Sequence, residues 1–318
     1  TPSLPPEKLI LWLPPELDPN GESEAAAVLK DRLAEFAYTN SIELDVRIKA
    51  VSGSGGLLDA LRTTHAAAPD SSPDLIALSR EHLLQAAREE VVFWNDELKT
   101  VMADLDWYNF GREASMVNGD VMAVPFKGVP MGLVYQSTSQ LIPSNDWNDT
   151  RLNYGYFGFP ADDSRGTFLL LLYLNLGGLV QNEQGLTILQ EAPLTTALQT
   201  LKDWVNTRHF TDLVVTMQTS TQVWEAFSTR KVDTAFLPVD VVLQGRDSTP
   251  EAPDPAFTSP GMTLTDAWLW ALGSEDLQRQ ELATALISHL SDTQFLAKWS
   301  EALNVIPARP SALGSWKR

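Results

Sequence analysis

The stretch Asn118–Phe126, which reads N-G-D-V-M-A-V-P-F, decides the fold of this chain. Its first two residues are a turn signal, and apolar residues then follow in a rough strand pattern. The segment Gly128–Gly132 (G-V-P-M-G) comes directly after it and leads into an apolar L-V-Y at 133–135. Glycine and proline in these positions allow a strand to leave one sheet and enter another. The stretch therefore predicts a place where the chain passes between two sheets.

Upstream of this stretch, apolar strand patterns alternate with helical ones. Strands are predicted at Leu9–Leu13, Ile42–Ile48 and Asp74–Leu78, and helices at Ser23–Tyr38, from Leu57 onward and at Arg80–Glu89. This alternation is typical of an α/β fold with a mostly parallel sheet.

Downstream, the pattern is richer in helices. Helices are predicted at Gly166–Leu176, Leu194–Val205, Val223–Thr229, Glu275–Leu290 and Thr293–Leu303, with strands at Val232–Leu237 and Ala267–Leu272. The stretch Gln244–Gly261 contains four prolines and is predicted to be a long surface loop.

Three further motifs occur in a fixed order after the opening stretch. They are L-N-L-G-G at 174–178, W-E-A-F-S-T-R-K-V at 224–232 and N-V-I-P-A at 304–308. With these motifs in this order, the chain resembles the family 1 extracellular solute-binding proteins of ABC importers, which are of the maltose-binding-protein type. The resemblance extends from Leu9 to about Pro310.

The resemblance implies an α/β, two-lobed periplasmic-binding-protein fold (type II-like), with mostly parallel sheets flanked by helices and lobes joined by hinge strands. Lobe one is expected at 1–127 plus 266–303, and lobe two at 128–265. The tail, 304–318, is assigned to neither lobe. Two crossings between lobes form a hinge that permits closure around a ligand.

Composition and charge exclude several classes of function. The chain has 318 residues, which is enough for two cores, and a net charge of −18 with no cluster of Lys and Arg. Nucleic-acid binding and adsorption to anionic lipid are therefore disfavoured. The absence of cysteine excludes disulfides, thiolate metal sites and a cysteine nucleophile.

No catalytic or metal-binding pattern is present in the sequence. The four histidines are scattered without metal-ligand spacing, and neither a G-x-S-x-G elbow nor a P-loop occurs. The loop Ser52–Gly56 is interpreted as a strand-to-helix turn, or alternatively as a donor of backbone N–H groups to a ligand. We predict no catalytic residue, no metal and no cofactor, and we do not expect an enzyme.

Ligand-binding residues are expected just past the strand ends, where ligands sit in α/β sheets. In lobe one these candidates are Trp12, Glu16, Ser54, Gly55, Ser79, Arg80, Glu81, Phe126, Lys127, Trp268 and Trp270. The tryptophans have a second interpretation as core residues. An aromatic face can cover the C–H face of a sugar ring, while charged groups bind its hydroxyls.

In lobe two, the resemblance points to four residues. Arg165 and Thr167 fall where sugar-binding relatives place contacts, Asp240 falls where many relatives carry an aromatic platform, and Trp224 lies on the helix leading to it. The chain also departs from the family at Arg230, where relatives usually have glycine.

The predicted function is that of an extracytoplasmic solute-binding protein. It captures a small solute, first of all a carbohydrate or polyol, by hinge closure and delivers it to an ABC transporter permease. We expect a monomer that binds no nucleic acid. The lead T-P-S-L-P-P at 1–6 resembles the end of a tether, which in this family often follows a lipidated cysteine, so a periplasmic or cell-surface lipoprotein is expected.

Two alternatives remain open at this point. One is a binding protein repurposed as a ligand sensor or interaction partner without transport. The other is a periplasmic enzyme on the same scaffold.

Overall fold

The computed structural model of the protein describes residues 8–137, 155–182, 186–206, 210, 212–249, 252, 254–259 and 261–317. The predicted tether at 1–6 lies outside these residues. In chain order the strands are β1 (Lys8–Leu13), β2 (Glu43–Ile48), β3 (Leu75–Ser79), β4 (Met116–Val117), β5 (Asp120–Val121), β6 (Ala123–Gln136), β7 (Phe157–Gly158), β8 (Thr234–Pro238), β9 (Pro255–Thr258), β10 (Thr265–Leu272) and β11 (Ile306–Pro307).

The helices of the described residues follow the same order. They are α1 (Glu24–Asn40), α2 (Leu57–Ala67), α3 (Arg80–Arg88), α4 (Asp96–Met102), α5 (Asn109–Ser115), α6 (Thr167–Asn175), α7 (Glu191–Asn206), α8 (Ser220–Ser228), α9 (Val239–Ser248), α10 (Leu277–Leu290), α11 (Thr293–Leu303) and α12 (Pro310–Leu313). The sequence analysis did not predict α4, α5 and α9.

The chain divides into two compact units. Unit 1 comprises Thr1–Gly128 and Asp266–Arg318, and unit 2 comprises Val129–Thr265. The chain therefore passes from one unit to the other twice, within β6 and at the start of β10. The C-terminal residues that the sequence left unassigned belong to unit 1.

Unit 1 is built on a sheet with the strand order β2-β1-β3-β10-β6, and β11 pairs with β6. Strands β1, β2 and β3 run parallel, whereas β10 is antiparallel to β3. Leu9–Leu13 are all buried, as the continuous apolar run predicted, because a strand in the middle of a covered sheet has no solvent-facing side.

Capping side chains fix where the helices of unit 1 begin. The Ser23 hydroxyl accepts the N–H of Ala26, and Asn95 caps α4 in the same way. Such caps satisfy N–H groups that the helix itself leaves unpaired. The predicted helix starts at Ser23 and Arg80 are confirmed to within one residue.

The opening Asn-Gly pair forms the turn of the hairpin between β4 and β5. Asn118 has φ 53° and Gly119 has φ 93°, which are the left-handed values that a tight hairpin turn requires. Strand β6 then runs for 14 residues through the Gly-Pro segment.

Unit 2 is built on β6, β8 and β7, with β9 pairing to β6. Strand β6 is antiparallel to both β8 and β9, whereas β7 and β8 run parallel to each other. The α/β prediction is confirmed, but the sheets of the two units are mixed rather than mostly parallel. A strand that arrives from the other unit needs no crossover helix, so nothing constrains it to run parallel to its neighbours.

The prediction of a long loop at Gln244–Gly261 is wrong. Helix α9 continues to Ser248, and Pro255–Thr258 forms β9. Proline can begin a strand that pairs on one side only, and Pro255 is the first residue of β9. Because prolines usually indicate a loop, the sequence pattern did not predict the short strand β9.

Candidate functional site

The candidate residues at the carboxyl end of β3 lie together in unit 1. Trp268 is the register partner of Ser79, whose hydroxyl accepts the N–H of His82 and caps α3. The Arg80 guanidinium donates to the carbonyl of Ala114 at 2.8 Å, and burial lowers its pKa. The next residue, Glu81, is exposed. The strand end thus presents a fixed cation and a solvated carboxylate.

Lys127 and Trp268 form a pair near the two chain crossings. The Lys127 ammonium lies 5.0 Å from the centroid of the Trp268 ring, and both side chains are buried. A cation held over an indole face is attracted by the ring quadrupole, and more strongly when water is excluded. The structure thus brings into contact Lys127, which lies next to the first crossing, and Trp268, which lies next to the second.

A residue that the sequence analysis missed lies beside Trp12. The Lys49 ammonium is 4.6 Å from the centroid of the Trp12 ring, and the Lys49 N–H donates to the carbonyl of Leu13 at 2.9 Å. Lys49 is the first residue after β2, so the rule that selects residues just past strand ends would have found it.

Three of the predicted aromatic contacts are packed inside the core of unit 1. Trp12, Phe126 and Trp270 are each less than 2% exposed, and the Phe126 and Trp270 rings lie 4.5 Å apart. Both also contact the ring of Trp299 from α11. The Phe126 and Trp270 rings thus pack against each other and against Trp299, whereas the Trp12 ring has the Lys49 ammonium over it. A role of these rings in ligand stacking stays a prediction.

The glycine-rich loop after β2 already satisfies one of its backbone donors. The Gly55 N–H donates to the carboxylate of Asp59 at 2.7 Å, and Gly53 and Gly55 adopt φ 85° and 75°. An internal carboxylate thus takes the place of an external anion at that donor. Ser54 and Glu16 are exposed, the latter in the 3-10 turn Pro15–Leu17.

In unit 2, Asp163 organises the start of α6. Its carboxylate accepts the N–H groups of Arg165 and Thr167 at 3.0 and 3.2 Å, and the Thr167 hydroxyl at 2.6 Å. Burial acts to raise the pKa of Asp163, but these hydrogen bonds outweigh it and the pKa is lowered. The exposed Arg165 side chain and Thr167 are therefore positioned at the helix start by an ionised carboxylate.

The two remaining candidates of unit 2 lie on α8 and α9. Trp224 is buried, and Gly245 of α9 lies so close to its indole that an added Cβ would overlap the ring. Asp240 is in the first turn of α9, where its carboxylate accepts the N–H of Val241 at 2.8 Å. These contacts place Trp224 in the core of unit 2.

No cluster of three or more potential metal ligands occurs among the residues that the structure describes. Of the histidines, His209 lies outside the described residues. His289 contacts the backbone of Arg32, and the ring of His65 lies 5.9 Å from that of Phe93. His82 lies on α3.

Comparison with known proteins identifies the family. A family model described as bacterial extracellular solute-binding protein matches residues 33–317, which is most of the chain. The chain belongs to this family. The predicted resemblance is thereby confirmed, and the family is extracellular. Among the residues that the structure describes, no helix has both the length and the apolar character that crossing a bilayer requires.

Solved structures of sugar-binding proteins share the fold of this solute-binding protein. A cyclo/maltodextrin-binding protein complexed with maltotetraose is similar with a TM-score of 0.77 and 14% identity, over 99% of this chain and 82% of that one. Maltose-bound MalE3 of T. maritima has a TM-score of 0.68 and 17% identity, over 96% and 82% of the two chains.

A third similar structure is the maltodextrin-binding protein MalE1 from L. casei BL23 without ligand, with a TM-score of 0.71 and 14% identity. It aligns over 97% of this chain and 81% of its own. No curated protein matches the sequence. The two-lobed, type II-like fold prediction is confirmed, and both the family and the fold are those of binding proteins rather than enzymes.

Proposed function

We propose that this protein captures a small carbohydrate or polyol by closure of its two units as lobes and delivers it to an ABC transporter permease. The observation that carries this proposal is the double passage of the chain between two compact units, in a member of the solute-binding family. Two strand connections allow two rigid bodies to rotate about a common hinge.

The proposed solute class rests on the chemistry of the candidate residues. The Trp268 ring beside Lys127, an anchored Arg80 and an exposed Arg165 suit a molecule with apolar C–H faces and many hydroxyls. The structural neighbours that were solved with maltose and maltotetraose favour the same class. The role of every candidate residue remains part of the proposal.

The mechanism requires no covalent chemistry. Contacts from both lobes would exist together only in the closed form, so the solute would shift the population toward closure. A ligand can shift that equilibrium only by its difference in affinity for the two forms, so lobe-two contacts such as Arg165 would supply part of the closing free energy. We propose that the protein acts as a monomer, tethered outside the cytoplasm as a lipoprotein.

A thermal-shift screen tests solute binding. Maltose, maltotetraose and sorbitol are compared with glutamate and sulfate at matched concentrations. At a ligand concentration of 100 times Kd, the native state gains about 2.7 kcal/mol, which raises Tm visibly. A shift with sugars or polyols only is expected. A shift with glutamate or sulfate alone would reject the proposed solute class, and no shift with any probe would reject solute capture.

A transport assay tests delivery separately. The protein is added to proteoliposomes that contain an ABC permease from the same genome, and solute-stimulated ATP hydrolysis is measured. Stimulation is expected. Tight sugar binding without stimulation would instead favour the sensor alternative.

A further inference from the structure

Unit 1 contains a cavity away from the candidate solute site. Its wall includes Phe93, which bridges to Leu272, and Leu272 is the register partner of Leu75 at the amino end of β3. The candidate residue Trp268 pairs with Ser79 at the opposite end of the same strand. Leu75 and Ser79 are four residue steps apart on β3, which is about 13 Å. Phe93 in the cavity wall is therefore near the opposite end of β3 from Trp268.

The wall of this cavity is largely apolar and aromatic. It encloses about 300 Å³, at the lower end of small-molecule sites, and Phe93, Trp94, Val117 and Met122 contribute to its lining. Trp94 is 47% exposed, unlike the tryptophans packed in the core of unit 1. An aromatic side chain of this size, half open beside a cavity, offers a face for a ligand.

The Trp94 ring already attracts one cation. The Lys99 ammonium lies 4.1 Å from the ring centroid and 3.3 Å from a carboxylate oxygen of Asp96. Lys99 does not belong to the cavity wall. This contact shows that the indole attracts an ammonium group.

Two carboxylates give the wall a negative charge. Glu90 and Asp120 contribute to the lining, and no lysine or arginine does. Within the described part of the chain, neither carboxylate has a hydrogen-bond or ion-pair partner. The protein as a whole carries a net charge of −18, so its surrounding field also favours cations. Apolar walls, a half-exposed indole and two unpaired carboxylates together match one kind of ligand.

We propose that this cavity binds a small organic cation, in which a primary or quaternary ammonium is attached to an apolar or aromatic body. The body would fill the space beside Phe93, Val117 and Met122, while the ammonium would lie near Glu90 and Asp120 and the Trp94 ring. The site uses none of the candidate solute-binding residues, so it goes beyond the proposed function and does not depend on it.

Isothermal titration with two matched probes tests the proposal. Phenethylammonium and the neutral 2-phenylethanol share one skeleton and differ at the terminal group. The wild-type protein is expected to bind phenethylammonium at millimolar concentrations or below, and the alcohol about tenfold more weakly. Equal binding of both probes, or no binding of phenethylammonium, overturns the proposal.

Three variants locate the bound cation. Glu90→Gln/Asp120→Asn is expected to weaken phenethylammonium binding by about tenfold. Asp31→Asn, which removes an exposed carboxylate on α1 outside the cavity wall, controls for net charge and should leave the affinity unchanged. Lys99→Gln removes a positive charge beside the Trp94 ring and should strengthen binding about threefold.

Retention of full affinity by the double variant, or an equal loss in Asp31→Asn, contradicts the assignment of the site. The titration is repeated in saturating maltotetraose. Because the two sites share no residue, failure of the sugar screen and failure of this titration are independent results.

Discussion

The Lys127 ammonium lies 5.0 Å above the ring of Trp268, and these two residues stand where the chain leaves unit 1 and where it returns. Both side chains are buried, which is unusual for a lysine. The pair ties β6 to β10 within unit 1, next to both crossings. A solute that contacts this pair would therefore bind directly beside the two strands that cross between the units.

Replacing Lys127 by methionine is expected to lower the affinity for the proposed sugar about tenfold, because a charge-assisted hydrogen bond to a hydroxyl is lost. Maltotetraose binding by calorimetry measures the change. Lys30→Met on the exposed side of α1 is the matched control. Unchanged affinity in Lys127→Met would remove this lysine from the solute site.

Asp74 makes the stability of unit 1 depend on pH. The side chain is fully buried, its carboxylate accepts the Ile10 N–H at 2.7 Å, and Arg279 lies 3.1 Å away. Burial raises the pKa of Asp74 from 3.8 to about 6, against the lowering effects of the Ile10 N–H and Arg279. The folded state therefore holds a proton between about pH 4 and 6 that the unfolded state has released.

The stabilisation from this proton is complete below about pH 4 and is lost as the pH rises through 6. Asp74→Asn stays neutral and can still accept the Ile10 N–H. Relative to the wild type, it should gain up to about 3 kcal/mol in the free energy of unfolding between pH 4 and 7. Urea melts across this range, with Asp31→Asn as control, measure the difference. A constant difference across the range would contradict the assignment.

Gly245 leaves room for the Trp224 indole in the core of unit 2. Alanine normally stabilises a helix, but here its methyl group would overlap the ring, so Gly245→Ala should lower the free energy of unfolding by about 2 kcal/mol. Gly314→Ala, where the nearest atoms lie 3.6 Å or more from an added Cβ, should be nearly neutral. Thermal melts compare the two, and equal effects would count against the packing argument.

Arg230 adopts φ 58° two residues after the helix that ends at Ser228, with Thr229 as the C-cap between them. The left-handed conformation costs a residue with a Cβ about 1 kcal/mol, so Arg230→Gly should stabilise the protein by about that amount. Arg88→Gly, within the last turn of α3, should instead destabilise it by about 1 kcal/mol. Denaturant midpoints give both values, and a loss of stability in Arg230→Gly would refute the explanation.

The family position of Arg230 illustrates what a resemblance can predict. The resemblance implied glycine at this position, and the structure gives the backbone the left-handed conformation that glycine favours. The motif therefore located a position that requires the left-handed backbone conformation. Arginine adopts this conformation there at a higher free-energy cost than glycine would.

The sequence by itself predicted the elements that have local signals, such as the strand at Leu9–Leu13 and the helix that begins after Ser23, because an apolar run and a helix cap act over a few neighbouring residues. It did not predict α4, α5, α9 or β9. Only the tertiary structure decided which aromatic rings are packed in the core. Trp12 and Trp270 have the same periodicity whether they face a ligand or a helix. In the structure both side chains are buried, and Trp270 packs against Trp299 from a distant helix. The same holds for Lys49 and Lys127, whose neighbours are brought to them by strands far apart in the chain.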